Sequence, residues 1–76
     1  MRPLLLQLAR GLVREPGRVR VHEHVEGDRT FLELEVSPAD RGRVIGREGR
    51  TASALRVLLG ALARRRGQSL DLEVLD

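Results

Sequence analysis

Residues 42–50 read Gly42-Arg43-Val44-Ile45-Gly46-Arg47-Glu48-Gly49-Arg50, and here the helical patterning of a 76-residue chain is interrupted. Two glycines three apart, Gly46 and Gly49, fall between two helical stretches, with arginine before, between and after them. Glycine reaches backbone angles closed to other residues and carries no Cβ to hold a ligand away from the chain. The helix that follows brings free N–H groups and the positive end of its dipole to the same place. A phosphodiester backbone could lie across such a loop and meet Arg43, Arg47 and Arg50. The plainer reading is a helix–turn–helix connector with a solvated basic rim, and spacing alone leaves both open.

On the N-terminal side, Ser37-Pro38-Ala39-Asp40 carries a helix-start signature: Ser37 as N-cap, Pro38 at the first helical position and an acid at the third. That helix is short, because Gly46 and Gly49 interrupt it within two turns. On the C-terminal side a long helix resumes, with Ala52, Leu55, Leu58, Leu59 and Leu62 on one side. It ends at Arg64-Arg65-Arg66-Gly67, cations in the last turn and glycine as the cap.

Farther from the loop the period changes to two. Leu70, Leu72 and Val74 alternate with Asp71 and Glu73, Leu32, Leu34 and Val36 with Glu33 and Glu35, and Val19, Val21 and Val25 with polar residues. Glu26-Gly27-Asp28-Arg29 reads as the hairpin connection between the last two runs. Pro3 to Val13 reads as a first helix, with Leu5, Leu8, Ala9, Leu12 and Val13 on its apolar face and Pro16 stopping it. The order is α-β-β-α-α-β, and residues 1–76 make one α+β domain: a three-stranded sheet with helices packed on one face. The alternation leaves Glu33, Glu35, Asp71 and Glu73 on the open face, which is therefore acidic.

Charge is distributed unevenly. Residues 41–66 hold eight arginines against Glu48 alone, a net charge of +7, whereas the whole chain carries only +3. A basic block inside an otherwise acidic chain points to an anionic partner. All fourteen basic residues are arginine, which fits GC-rich coding or adaptation to heat. With no cysteine there is no disulfide framework, thiolate metal site or thiol nucleophile. No apolar run approaches the roughly 18–20 residues that span a bilayer, and Leu4–Leu6 behind one arginine does not make a signal peptide. The expectation is a cytoplasmic protein that contacts no membrane, uses no cofactor and is not an enzyme.

Val44-Ile45-Gly46-x-x-Gly49 between two helices resembles the GXXG loop of KH RNA-binding domains. The order α-β-β-α-α-β resembles the type II, prokaryotic KH topology, since type I begins with a strand. In length and motif the chain is similar to the KhpA family of small bacterial single-KH proteins. Members open with a leucine-rich helix and carry a Gly-Arg/Lys-Val-Ile-Gly-Arg/Lys-x-Gly-Arg segment. The resemblance implies that the loop holds about four nucleotides of single-stranded RNA by their backbone. Gly46 and Gly49 would admit that backbone and Arg47 would meet phosphate. Val44 and Ile45 would form the apolar groove under the bases, with Arg43 and Arg50 flanking it. It further implies broad RNA binding of a chaperone-like kind in post-transcriptional regulation, and self-association. It also implies pairing with the family's larger multi-domain KH partner (KhpB, also called Jag or EloR), linked in some bacteria to cell division and envelope growth. The alternative is a KH-fold dimerisation or interaction module with weak or accessory nucleic-acid binding. Nothing in the sequence separates RNA from single-stranded DNA.

Two positions depart from the wider KH pattern. Glu48 places a negative charge where basic, glycine or neutral polar residues are usual, and Ala52 is smaller than the isoleucine common there. Rival readings lose on composition: with Phe31 as the only aromatic residue, the chain cannot build the stacking platforms of RRM, OB-fold or cold-shock surfaces. The glycines match neither a Walker A loop nor a dinucleotide fingerprint. His22-x-His24 has a spacing found in some metal sites, but no third ligand is placed, and the pair reads as exposed. Glu33 and Glu35 read as a solvated face and not as an acid/base pair, and Arg64–Arg66 as a complement to the helix end before a second phosphate contact. Ala54, Val57, Gly60 and Ala61 form a small or apolar stripe beside the core stripe of the long helix. A helix apolar on two sides needs a second cover, and a second copy of the chain is the candidate.

Overall fold

The computed structural model describes residues 1–76. The alternating runs form three strands, β1 (Arg20–Glu26), β2 (Arg29–Glu35) and β3 (Ser69–Val74). The 3.6-period runs form α1 (Arg2–Leu12), α2 (Arg41–Ile45) and α3 (Arg50–Arg65), with 3-10 turns at Pro16–Arg18, Pro38–Asp40 and Arg47–Gly49. The expected α-β-β-α-α-β order and α+β class are both present. β2 lies between the other strands, antiparallel to β1 and parallel to β3. A two-residue turn joins β1 to β2, where Gly27 at φ 57° takes an angle that costs other residues more. Parallel pairing of β2 with β3 requires a long crossover, and α2, the glycine loop and α3 are that crossover.

One face of the sheet carries the core. Val19, Val21, Leu32, Leu34, Val36 and Leu72 pack against Leu5 and Ala9 of α1, Val44 of α2, and Leu55 and Leu59 of α3. On the other face His22, His24, Glu33, Glu35, Asp71 and Glu73 are exposed, as the alternation predicts. The two imidazoles turn to different carboxylates: His22 Nε2 lies 3.4 Å from Glu35 and His24 Nε2 3.4 Å from Glu26. No helix is long and apolar enough to cross a membrane.

Four details differ from the sequence reading, the first being that Leu12, assigned to the apolar face of α1, is exposed at the helix end. Val25 is exposed, because the β1–β2 hairpin extends past the helices that cover its base. Leu58 is exposed as well; α3 meets a sheet of only three strands, and its buried arc is the narrow row Ala52, Leu55, Leu59 and Ala63. Ser37 does not cap a helix N–H: its hydroxyl donates to the Asp40 carboxylate at 3.1 Å, and a 3-10 turn precedes α2. The end of α3 is as the sequence predicts. Gly67 at φ 72° follows the last turn, its N–H donating to Arg64 O and that of Gln68 to Ala63 O, the pairing of a Schellman motif.

Both sheet edges carry arginine. Ser69 and Leu75 donate their N–H groups to Asp28 and Leu34 at 2.8 Å, so alternate residues of β3 face β2 and Leu72 presents its carbonyl to the free edge. Arg56 Nε donates to that carbonyl at 3.1 Å, and Arg41 Nε donates to Leu75 O at 3.0 Å. On the opposite edge Arg2 Nε donates to Val21 O of β1 at 3.0 Å.

Candidate nucleic-acid interface

α2 has only five residues, too few to hold a helical turn by its own hydrogen bonds. It is fastened at three points. Val44 sits in the core with no exposed surface. At the C-terminal end Gly46 turns the chain at φ 79°, ψ 170°, a region essentially restricted to glycine, and packs on Thr51. A Cβ at Gly46 would lie 2.7 Å from both the backbone N and the Cβ of Thr51. At the N-terminal end Asp40, 2% exposed, accepts the N–H groups of Arg14 at 3.1 Å and Glu15 at 3.0 Å. These two amides lie just beyond the end of α1. The Arg14 amide holds the Asp40 carboxyl below its ordinary pKa against the opposing pull of burial, with the Glu15 amide, the Ser37 hydroxyl and the Arg43 guanidinium adding to it.

The loop itself is the 3-10 turn Arg47–Gly49. Gly49 adopts φ 75°, ψ 13°, and nothing lies within 4 Å of where its Cβ would be. Gly46 is thus required by shape and by angle, Gly49 by angle alone, with open space outside it. Glu48 also lies in the left-handed region, at φ 56°, ψ 25°, which costs a non-glycine residue about 1 kcal/mol. The sequence marks Glu48 by charge and gives no sign of this backbone strain. α3 begins at Arg50, so its first-turn N–H groups and positive dipole end adjoin the loop.

From α2 through the loop to the start of α3, Arg43, Arg47, Glu48 and Arg50 are exposed and Ile45, Gly46 and Gly49 partly so. Val44 is the exception: being wholly buried, it supports this surface from beneath and cannot touch a base. The arginines are not equivalent. Arg43 Nε lies 3.5 Å from Asp40 Oδ1, and Arg50 Nη2 lies 3.6 Å from Glu48 Oε2. Arg41 and Arg56 are bound to β3 and the chain end, with Arg41 also 2.6 Å from Asp76. Of the arginines in and flanking the loop, Arg47 alone has no protein partner. Arg64–Arg66 lie at the far end of α3, about 24 Å away for sixteen residues of helix. The sequence reading missed Asp40, whose acid it took for a helix-start residue; its burial follows from long-range contacts that no local pattern shows.

A second surface runs along α3. Ala54, Val57, Leu58 and Ala61 are exposed and Gly60 is partly so, with Val57 the most open of the large apolar side chains at 69%. Leu8 and Leu12 of α1 continue this apolar strip, lining a shallow depression with Ala54 and Leu58.

The family model described as "KhpA/KhpB, KH domain" matches residues 2–74. Among curated relatives, a protein of Halalkalibacterium halodurans is 42% identical over all of both chains. One of Aquifex aeolicus is 46% identical over 90% of this chain and 86% of its own, and one of Leifsonia xyli 45% identical over 97% and 95%. Each bears the name RNA-binding protein KhpA. No solved structure matches. Over almost its whole length the chain belongs to the KhpA/KhpB family of KH domains.

Proposed function

We propose that the chain binds single-stranded RNA and catalyses no reaction, holding about four nucleotides by their backbone across the Gly46–Gly49 loop. The relatives named as RNA-binding proteins support the class of ligand, and the local geometry supports the place. The observation that carries the reading is the pairing of Arg47, a cation without a protein partner, with Gly49, whose outer side is open. Phosphate meets Arg47 first and draws on Arg43 and Arg50 by competing with Asp40 and Glu48. Ile45, partly exposed, gives the apolar flank of the groove. The chain acts in the cytoplasm as an RNA chaperone-like factor in post-transcriptional regulation. It associates with itself through the Ala54–Ala61 face of α3, or with a multi-domain KhpB-like partner through the same face. The second reading, an interaction module with accessory RNA contact, draws on the Glu48–Arg50 pair, which places a competing carboxylate in the loop.

The test replaces Arg47 and Glu48 together by Asp and titrates a labelled single-stranded RNA pool at two salt concentrations. An exposed loop tip tolerates polar change, so the circular dichroism spectrum stays native while binding disappears. Each lost phosphate contact lowers the salt slope by about 0.7. A folded double variant with undiminished affinity would overturn the loop assignment. A parallel titration with single-stranded DNA decides whether the sugar is read.

A further inference from the structure

The carboxylate of Asp40 is buried away from any surface RNA could reach, yet it stands at the entry of the loop-bearing helix and faces one of that helix's arginines. Its Oδ2 accepts from the Glu15 amide at 3.0 Å and the Ser37 hydroxyl at 3.1 Å; its Oδ1 accepts from the Arg14 amide at 3.1 Å and faces Arg43 Nε at 3.5 Å. One side chain thereby ties the exit of α1 to the entry of α2, segments 25 and 26 residues apart. Arg43 follows Asp40 by three residues, one helical turn on, and precedes Gly46 by three. The ionisable side chains around Asp40 are Arg43 of α2 and, from the α1 exit, Arg14 and Glu15, whose amides rather than side chains bond it.

We propose that Asp40 is the positioning residue of the RNA-binding loop. Anchored between the exit of α1 and the entry of α2, it aims Arg43 along the edge that Arg47 and Gly49 occupy, so RNA affinity depends, through Arg43, on a residue RNA does not touch. The inference rests on the RNA reading above. Its sign opposes plain electrostatics. Removing a negative charge 3.5 Å from an arginine would strengthen attraction for phosphate, whereas loss of positioning weakens binding.

The experiment uses the full chain and a labelled oligouridylate, whose base does not titrate near neutrality. Binding is measured by anisotropy at a temperature where far-ultraviolet circular dichroism shows every variant folded. Asp40→Asn is expected to weaken binding by about tenfold, the effect of one misplaced charge-assisted contact. Combined with Arg43→Ala it is expected to bind no worse than Arg43→Ala alone, since coupled residues are not additive. Should Asp40→Asn fail to fold, Arg43→Lys carries the test from the other partner. It keeps the charge but loses the Nε contact, and is expected to fall to the level of Arg43→Ala. Undiminished or tighter binding by folded Asp40→Asn, additive losses in the double variant, or native affinity in Arg43→Lys overturns the positioning role. Absence of binding by the unsubstituted chain overturns the RNA reading itself, so the two failures are distinct.

Discussion

Gly46 and Gly49 share a positive φ but answer to different constraints, and substitution separates them. Gly46→Ala must place a Cβ against the backbone and side chain of Thr51 at an angle that alanine resists. Overpacking and a glycine-only backbone together cost about 3 kcal/mol or more, and the expected fall in Tm exceeds about 12 °C for a domain of this size. Gly49→Ala meets open space, so only the left-handed backbone matters, at about 1 kcal/mol and roughly 4–8 °C. Thermal unfolding of the two variants side by side checks this, and equal losses would mean that the loop is not seated on Thr51. Much at this scale was legible: both glycines, Arg47 and the basic flank are visible as letters and spacing. The strain at Glu48 and the burial of Asp40 were not, because each depends on atoms brought from elsewhere in the chain.

At the scale of the element, α3 shows why periodicity locates a helix more reliably than it assigns its faces. Leu55, Leu58, Leu59 and Leu62 read as one stripe, but a three-stranded sheet covers a narrower arc than the stripe subtends, and Leu58 falls outside it. The same limit explains Val25, whose alternation is correct while no helix reaches far enough to cover it. Leu58 thus joins Val57, Ala54 and Ala61 on the face proposed for self-association. In a two-fold pair that face meets its own copy. Ala61→Asp would set two carboxylates against each other there, and sedimentation is expected to show the mass fall to that of one chain while the loop keeps its chemistry. A single-chain mass for the unsubstituted protein at high micromolar concentration, or an unchanged mass for Ala61→Asp, would remove the interface.

Across the whole molecule, charge is divided between two sides. The loop edge is basic, and the open sheet face carries Glu33, Glu35, Asp71 and Glu73. RNA held at the loop, as proposed above, would feel that face only through a field that salt screens over about 8 Å. Neutralising Glu33 and Glu35 to Gln is therefore expected to raise RNA affinity less than about twofold near 0.15 M salt. A large loss instead would put RNA on the sheet. This division was readable from alternation and charge counting, since period-two patterning fixes which residues share a face. The destinations of individual arginines were not readable. Arg41 and Arg56 belong to the basic block and Arg2 lies outside it, yet each donates to a backbone carbonyl at a strand edge or just beyond it. A small sheet with two bare edges is a template on which further strands can be laid without limit, the geometry from which fibres grow. A guanidinium docked on the edge carbonyl puts charge and bulk where the next strand would have to pair. The arginine content that first suggests an anionic partner is thus in part a seal against polymerisation. With the strand edges so occupied, the apolar face of α3 is the surface left for the self-association proposed above.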